Sequence, residues 1–138
     1  MKILLHEDDK YFLLFVYGEE LFEELIAFAA KENIQAAYFN VFGASKEIVL
    51  CYYDTKAQKY LDFPLVEDFE IVGINGSISL FNDQTIVHMH GLFADKNLQV
   101  KGGHLKKLVV SVTTEVMLTK FKGKLTRSID KVTGLPLL

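Results

Sequence analysis

The sequence contains little of what marks secreted, membrane-embedded or disordered chains. Its 138 residues include one cysteine, Cys51, so no disulfide can form within the chain and a reducing compartment is expected. Two prolines and the absence of low-complexity runs argue against a long disordered segment. The opening residues, MKILLHEDDK, hold too short an apolar run for a signal-peptide core, and no later run approaches a membrane span. We therefore expect a cytoplasmic protein with no membrane partner.

The charge is small overall but unevenly distributed. The net charge of −3 gives no support for a large nucleic-acid interface. Residues 1–100 carry 7 Lys/Arg and 16 Asp/Glu, whereas residues 101–138 carry 8 Lys/Arg and 2 Asp/Glu. This asymmetry fits a solvated surface or salt bridges between the two halves. It also fits complementary faces in a homo-oligomer, or an anion site formed when subunits assemble.

Apolar periodicity predicts one helix among many strands. Between residues 19 and 34 apolar residues recur at helical spacing, with Glu19 and Glu20 predicted in the first turn. Most of the remaining apolar segments are β-branched or aromatic without helical periodicity, and Gly43 is predicted to turn the chain between two strands. We expect a single α+β domain over residues 1–138. Its fold would be a largely antiparallel sheet with one main amphipathic helix and short flanking helices.

Three of the four histidines lie close together in VHMHGLFADKNLQVKGGHL, residues 87–105. On a strand, His88 and His90 point to the same face, with their Cα atoms about 6 to 7 Å apart, while Met89 faces the opposite way. A polar hairpin turn at residues 95–97 and the flexible pair Gly102–Gly103 can bring His104 beside them. Alternatively, these are ordinary polar strand residues that met by chance.

Three imidazoles with an open fourth position are the ligand set of a catalytic rather than a structural zinc site. The ligands do not fix the metal, because nickel, copper and iron also accept imidazole. We therefore predict a divalent metal site formed by His88, His90 and His104.

Glu115 is a second candidate, as a catalytic residue. It lies in VVSVTTEVML, which is otherwise uncharged, and a carboxylate on an apolar sheet face seldom lacks a partner. If it shares the histidine face, it could orient a ligand imidazole, take the fourth position or transfer protons. If it faces solvent from an edge strand, it has no such role.

These segments resemble the plants and prokaryotes conserved (PPC) domain, in its stand-alone prokaryotic form. The resemblance covers about residues 11–120, and its most specific part is H-x-H, a turn, and then G-G-H-L. The earlier stretch from GEELFEELIAF to IVLCYYD fits the family's first helix and following strands. One departure is FNVFGA, which has Val41 and Phe42 where many relatives have a more glycine-rich turn.

The resemblance implies an α+β domain that assembles as a homotrimer, in which some members hold a metal through histidines matching His88, His90 and His104. It also implies a distant similarity to acetolactate decarboxylase, a zinc enzyme with an H-x-H motif and a further histidine. Zinc is accordingly the expected metal. Plant members add an AT-hook that binds DNA, but the only arginine here, Arg127, lies in LTRSID, so nucleic acid is not the expected partner.

Three functions follow from these observations. The first is a homotrimeric metal-binding protein that acts on a small molecule. The second is a DNA-associated regulator that contacts phosphates through lysines near residues 101–107 and 120–124. The third is a non-catalytic interaction module in which the histidines only support the turn.

Overall fold

Most of the chain forms antiparallel strands, in which buried and exposed residues alternate with a period of two. The structure, a computed structural model, describes residues 1–138. The elements are β1 (Lys2–Glu7), β2 (Lys10–Val16), α1 (Leu21–Lys31), β3 (Ala37–Asp54), β4 (Lys59–Leu65), β5 (Phe69–Phe81), β6 (Gln84–Ala94), β7 (Val100–Lys120), β8 (Ser128–Ile129) and β9 (Pro136–Leu137). The structure contains no helix with the length and apolar character needed to cross a bilayer.

Seven strands form one sheet in the order β1-β2-β7-β6-β5-β3-β4, and every pairing is antiparallel. An additional pairing between β7 and β3 closes the strands β3, β5, β6 and β7 into a ring. This closure depends on length, because β3 and β7 span 18 and 21 residues and change neighbours along their course. The first part of β7 pairs with β6, and the later part pairs with β2. The closed ring fixes the side-chain directions of its four strands.

The core lies between α1 and one face of this sheet. The helix packs against β6 and β7 with Leu21, Leu25 and Phe28 buried. These side chains join a cluster of 24 buried residues that includes Phe39 and Phe93. Burying one such side chain contributes about 1.5 to 3 kcal/mol, so this cluster is the main stabilising feature of the domain. The opposite sheet face is left exposed.

The predicted helix is confirmed, but its start lies slightly later than the sequence suggested. Glu20 is the N-cap, and its carboxylate accepts a hydrogen bond of 2.8 Å from the backbone N–H of Glu23. Glu19 precedes the helix and pairs with the N-terminal amine. Glu23 and Glu24 occupy the first turn, where negative charge is favoured by the helix dipole.

The prediction of short flanking helices is wrong, because α1 is the only helix. Consecutive antiparallel strands are joined here by tight turns, which need only a few residues. Asp8, Gln58, Asn82 and Asp83 take positive φ angles in these turns, a conformation that asparagine and aspartate tolerate better than most residues. These connections are too short for further helices, and the segment after β7 forms the β8–β9 pair instead.

The predicted turn at Gly43 is also wrong, because β3 continues through this residue as one strand. Gly43 has a φ of 138°, and a Cβ placed there would lie 2.3 Å from the backbone oxygen of Thr113 in β7. At this point β3 pairs with β5 on one side and with β7 on the other, and both registers shift. Glycine is therefore required for a close strand approach and an irregular backbone, not for a chain reversal.

Replacing Gly43 by alanine should lower the free energy of unfolding by about 2 kcal/mol or more, because both the backbone angle and the contact with Thr113 become strained. Urea denaturation measures the change. Gly73→Ala is the matched control on β5, since a Cβ there meets no atom within 4 Å. The control should stay within about 0.5 kcal/mol of the parent. Equal losses in both variants would contradict this account of Gly43.

Candidate metal centre

The side chains of His88 and His90 both project from β6 on the outward face of the ring. Between them Met89 is 1% exposed and points into the core, as the period-two pattern predicts. His90 is exposed and His88 is half-buried. Their ring centroids lie 5.2 Å apart. The prediction that they share a face is confirmed.

His104 reaches the pair through the hairpin that joins β6 to β7. The Asp95 carboxylate accepts hydrogen bonds from the backbone N–H groups of Asn97, at 2.8 Å, and Gln99, at 3.1 Å. These bonds lower the pKa of Asp95 and hold the turn. Across the hairpin His90 lies directly opposite His104. The turn therefore fixes the position of the third imidazole.

The glycine pair permits the close strand contact that precedes His104. Gly102 lies opposite Leu92, and a Cβ on Gly102 would come within 2.7 Å of the Gly91 backbone oxygen. Any larger residue would separate β6 from β7 at this point. The predicted close approach is confirmed at Gly102. Neither Gly102 nor Gly103 takes a positive φ angle, and a Cβ on Gly103 would meet its nearest atom only at 3.4 Å.

The three imidazoles converge on one point. One nitrogen from each ring lies within 4.8 Å of the others, and His104 Nδ1 is 3.4 Å from His90 Nε2. That second distance equals the edge of a tetrahedron of ligands about 2.0 to 2.1 Å from a central zinc. Three nitrogens that lie within 4.8 Å of one another have a common centre no more than about 2.8 Å from each. Side-chain movements of less than about 1 Å would shorten these distances to the usual zinc–nitrogen distance. The residues fit a divalent metal.

The surroundings of the cluster keep the imidazoles of His88 and His104 neutral. Burial lowers the pKa of His88, and the neighbouring Arg127 and His90 add to the effect. Burial lowers the pKa of His104 to about 4, with further contributions from His88 and His90. Neutral imidazole has a free lone pair, so these two rings can bind a metal at neutral pH without first losing a proton.

Cavities border the cluster on both sides. One of about 170 Å³ is lined by His88 and His104 together with Tyr60 and Arg127, and its remaining wall is apolar. The Tyr60 ring packs on the His104 ring with centroids 5.2 Å apart. Another, of about 180 Å³, lies beside His88 and His90 next to Asn75. A small molecule can therefore reach the open side of the three nitrogens.

Glu115 lies on the same outward face but far from the histidines. It lies on the later part of β7, which pairs with β2 and β3, whereas the part of β7 that pairs with β6 ends at His104. It is not among the residues whose ligand atoms converge on one point. Glu115 is therefore not brought to the three histidines within one chain, and its catalytic role stays a prediction.

Two residues beside the histidines could not be recognised from the sequence. Tyr60 arrives because β4 pairs with β3, in a register that places Tyr60 opposite Tyr53. Arg127 arrives because the segment after β7 returns along the end of β5. The one available signal was that Arg127 is the only arginine of the chain.

An α+β fold whose closed antiparallel sheet presents three converging histidines is the class of protein that this structure defines. The sequence model of the Plants and Prokaryotes Conserved (PCC) domain matches residues 6–122. The chain therefore belongs to this family, which is the PPC family that its motifs resemble.

Solved structures of several prokaryotic proteins share the fold. A PPC protein from Pyrococcus horikoshii is 29% identical with a TM-score of 0.89, over 99% of this chain and 96% of that one. A metal-containing protein from Archaeoglobus fulgidus is 29% identical with a TM-score of 0.88, over 99% and 98%. A candidate DNA-binding protein from Bacteroides thetaiotaomicron is 24% identical with a TM-score of 0.93, over 96% and 93%.

A weaker likeness extends to acetolactate decarboxylase from Bacillus subtilis, as the motifs implied. At 15% identity and a TM-score of 0.58, the match covers 84% of this chain and 54% of the decarboxylase, and it concerns the fold alone. No curated protein sequence is significantly similar to this chain.

We expect the metal-free protein to lose stability as the pH falls from about 6.5 towards 4. The pKa of His104 is about 4 in the folded chain, below its ordinary value of 6.5, so the unfolded chain takes up this proton first. The contribution of neutral His104 to the free energy of unfolding is complete above pH 6.5. It is lost as the pH falls to about 4, the pKa of His104 in the folded chain. His104→Gln removes the titrating group, and its thermal midpoint in chelator should fall less steeply over this range. Parallel curves for the two proteins would contradict the buried, neutral state of His104.

Proposed function

We propose that this protein is a homotrimeric metal-binding member of the PPC family that acts on a small molecule. The observation that carries the proposal is the convergence of three imidazoles beside a cavity. His88, His90 and His104 hold a divalent metal, and zinc fits their ligand type and number best. In support, the Archaeoglobus fulgidus protein, 29% identical over nearly its whole length, is described as metal-containing.

The ligand set favours chemistry over structural support. A structural zinc is usually closed by four protein ligands, whereas this cluster has three and lies beside open cavities. When bound at such a site, a divalent metal polarises a substrate oxygen or activates a water molecule. The chain's own residues bind and orient the metal, because each imidazole is held by a paired strand of the ring.

Apolar side chains on the outward face support the assembly of three subunits. Exposed residues of this face include Tyr38, Phe42, Leu92 and Met117, each more than 40% exposed in the single chain. Several large apolar side chains on one sheet face are typical of a protein–protein interface. His90 lies on the same face, so the metal centre would be near the contact between subunits.

DNA binding is the competing function, since the protein from Bacteroides thetaiotaomicron is a candidate DNA-binding protein. The charges of this chain argue against it. Lys101, Lys106 and Lys107, the basic residues nearest the hairpin, form ion pairs with acidic side chains of the chain itself. Lysines neutralised in this way add little to phosphate binding, which depends on uncompensated positive charge.

Purified protein should contain about one divalent metal ion per subunit, measured by elemental analysis after growth with zinc. Replacing His88, His90 and His104 together by alanine should abolish this content, because no other histidine, cysteine or acidic cluster of the chain has the required geometry.

His6→Ala is the matched control. His6 stacks on Tyr11, with ring centroids 4.1 Å apart, and lies outside the cluster. This variant should keep its full metal content. Metal retained by the triple variant, or lost equally from the control, would overturn the assignment of the ligands.

Wild-type protein should have three times the mass of the 15.7 kDa chain in sedimentation equilibrium. Phe42→Asp should shift the mass towards that of one subunit, because burying an unpaired carboxylate in an apolar interface is costly. Val132→Asp is the control, since Val132 is also exposed but lies in the segment between β8 and β9. A monomeric wild-type protein would refute the proposed assembly.

A further inference from the structure

Arg127 is a buried cation at the edge of the metal centre. Its backbone N–H donates to the Leu80 oxygen at 2.7 Å, which holds the segment after β7 against the end of β5. Its guanidinium donates from Nε to Ser79 Oγ at 2.7 Å and from Nη1 to the Pro136 backbone oxygen at 3.0 Å. The residue is 8% exposed. Strand pairing and two hydrogen bonds therefore fix the guanidinium in place.

The chain supplies no negative charge to this guanidinium. None of the salt bridges of the chain involves Arg127, although each one joins a cation to an acidic side chain within 4.0 Å. Its two protein acceptors are neutral, and they use two of its five N–H groups. Burial lowers the pKa of Arg127, and only Tyr60 opposes that effect. A buried charge without a partner costs free energy, so a retained one points to a ligand that supplies the partner.

The cavity beside Arg127 restricts what that ligand can be. Its volume of about 170 Å³ equals roughly five or six water molecules, so the part of the ligand that contacts Arg127 is small. Arg127, His88 and His104 line it with Tyr60, and the rest of the wall is aliphatic. The aliphatic lining residues are Ile86, Val87, Leu135, Pro136 and Leu137. Polar recognition is thus concentrated at the guanidinium and the histidines, and the remaining volume suits a short apolar chain.

The electrostatic balance at the cluster favours an anion. Three neutral imidazoles leave the charge of a divalent ion uncompensated, and Arg127 adds a further positive charge. A carboxylate matches the planar fork of a guanidinium with two parallel hydrogen bonds. A phosphate also accepts two hydrogen bonds from a guanidinium, but its further oxygens would face a wall that is aliphatic apart from Tyr60 and the two histidines.

We propose that this cavity binds a small organic acid, with its carboxylate on Arg127 and a neighbouring oxygen turned towards His88 and His104. The short carbon chain of the acid then lies against the aliphatic wall. The contact with the histidines rests on the proposed metal function. The contact between the carboxylate and Arg127 is independent of that function, because the guanidinium lies at the cavity whether or not a metal is bound.

The single arginine allows a direct test on the unaltered chain. Arginine labelled with ¹⁵N gives one Nε–Hε resonance, which is assigned without mutagenesis. Metal-free protein is titrated with butyrate, and neutral butyramide serves as the matched probe of equal size. Butyrate should shift the resonance in a saturable manner, and butyramide should leave it in place. A shift with butyramide, or none with butyrate, would overturn the proposal.

A second arm separates this inference from the proposed function. In zinc-loaded protein, 2-hydroxybutyrate should bind at least tenfold more tightly than butyrate, by isothermal titration calorimetry, because its second oxygen reaches the metal. If no zinc binds and butyrate still shifts Arg127, the metal function fails and the anion site stands. If zinc binds and no acid moves the arginine signal, the anion site fails alone. A carboxylate ligand would also be refuted if inorganic phosphate shifted the Arg127 resonance and neither acid did.

Variants complete the test. Arg127→Gln should weaken butyrate binding at least tenfold, whereas Lys131→Gln, in the same segment, should leave it unchanged. Because Arg127→Gln also removes the bonds to Ser79 and Pro136, Ser79→Ala serves as a second variant. Ser79→Ala removes one neutral partner but keeps the guanidinium, and it should retain binding within threefold. Loss of binding in Ser79→Ala equal to that in Arg127→Gln would assign Arg127 a structural role only.

Discussion

The register between β6 and β7 places His90 directly opposite His104, and the candidate site depends on this alignment. Side chains alternate along a strand, so a slip of one residue would send His104 towards the core and break the cluster. Two features fix the register: Asp95 holds the turn through backbone hydrogen bonds, and Gly102 lets the strands approach. The closed ring of β3, β5, β6 and β7 then prevents either strand from moving independently.

Part of the uneven charge of the sequence is compensated by salt bridges inside the domain. Lys106 pairs with Asp62, and Lys107 pairs with Glu47, so the basic end of the chain neutralises acidic residues from its first part. This matches the interpretation of the asymmetry as salt bridges between the halves. Arg127 differs from these paired lysines, because it is buried, has no carboxylate partner and lies beside the histidines. The difference between satisfied lysines and an unsatisfied arginine separates general surface charge from the proposed ligand site.

The outward sheet face carries both the candidate metal centre and the apolar residues of the proposed subunit contact. It carries the histidines, the exposed apolar residues and Glu115, although Glu115 is not one of the converging ligand residues. A face with both polar ligands and large apolar residues is suited to a site that lies close to a subunit contact. The other face of the sheet cannot form such a contact, because it is covered by α1 and the buried cluster.

Local pattern in the sequence was enough to predict the amphipathic helix, the pairing of His88 with His90 on one face, and the turn before His104. Each follows from a spacing of 2 or 3.6 residues or from turn-forming residues, which act between near neighbours. Only the tertiary structure decided that β3 runs straight through Gly43, that short helices are absent, that Glu115 stands apart, and that Tyr60 and Arg127 border the cluster. These features arise from pairing between distant strands, whose partners and register depend on closing the whole ring and not on any local spacing.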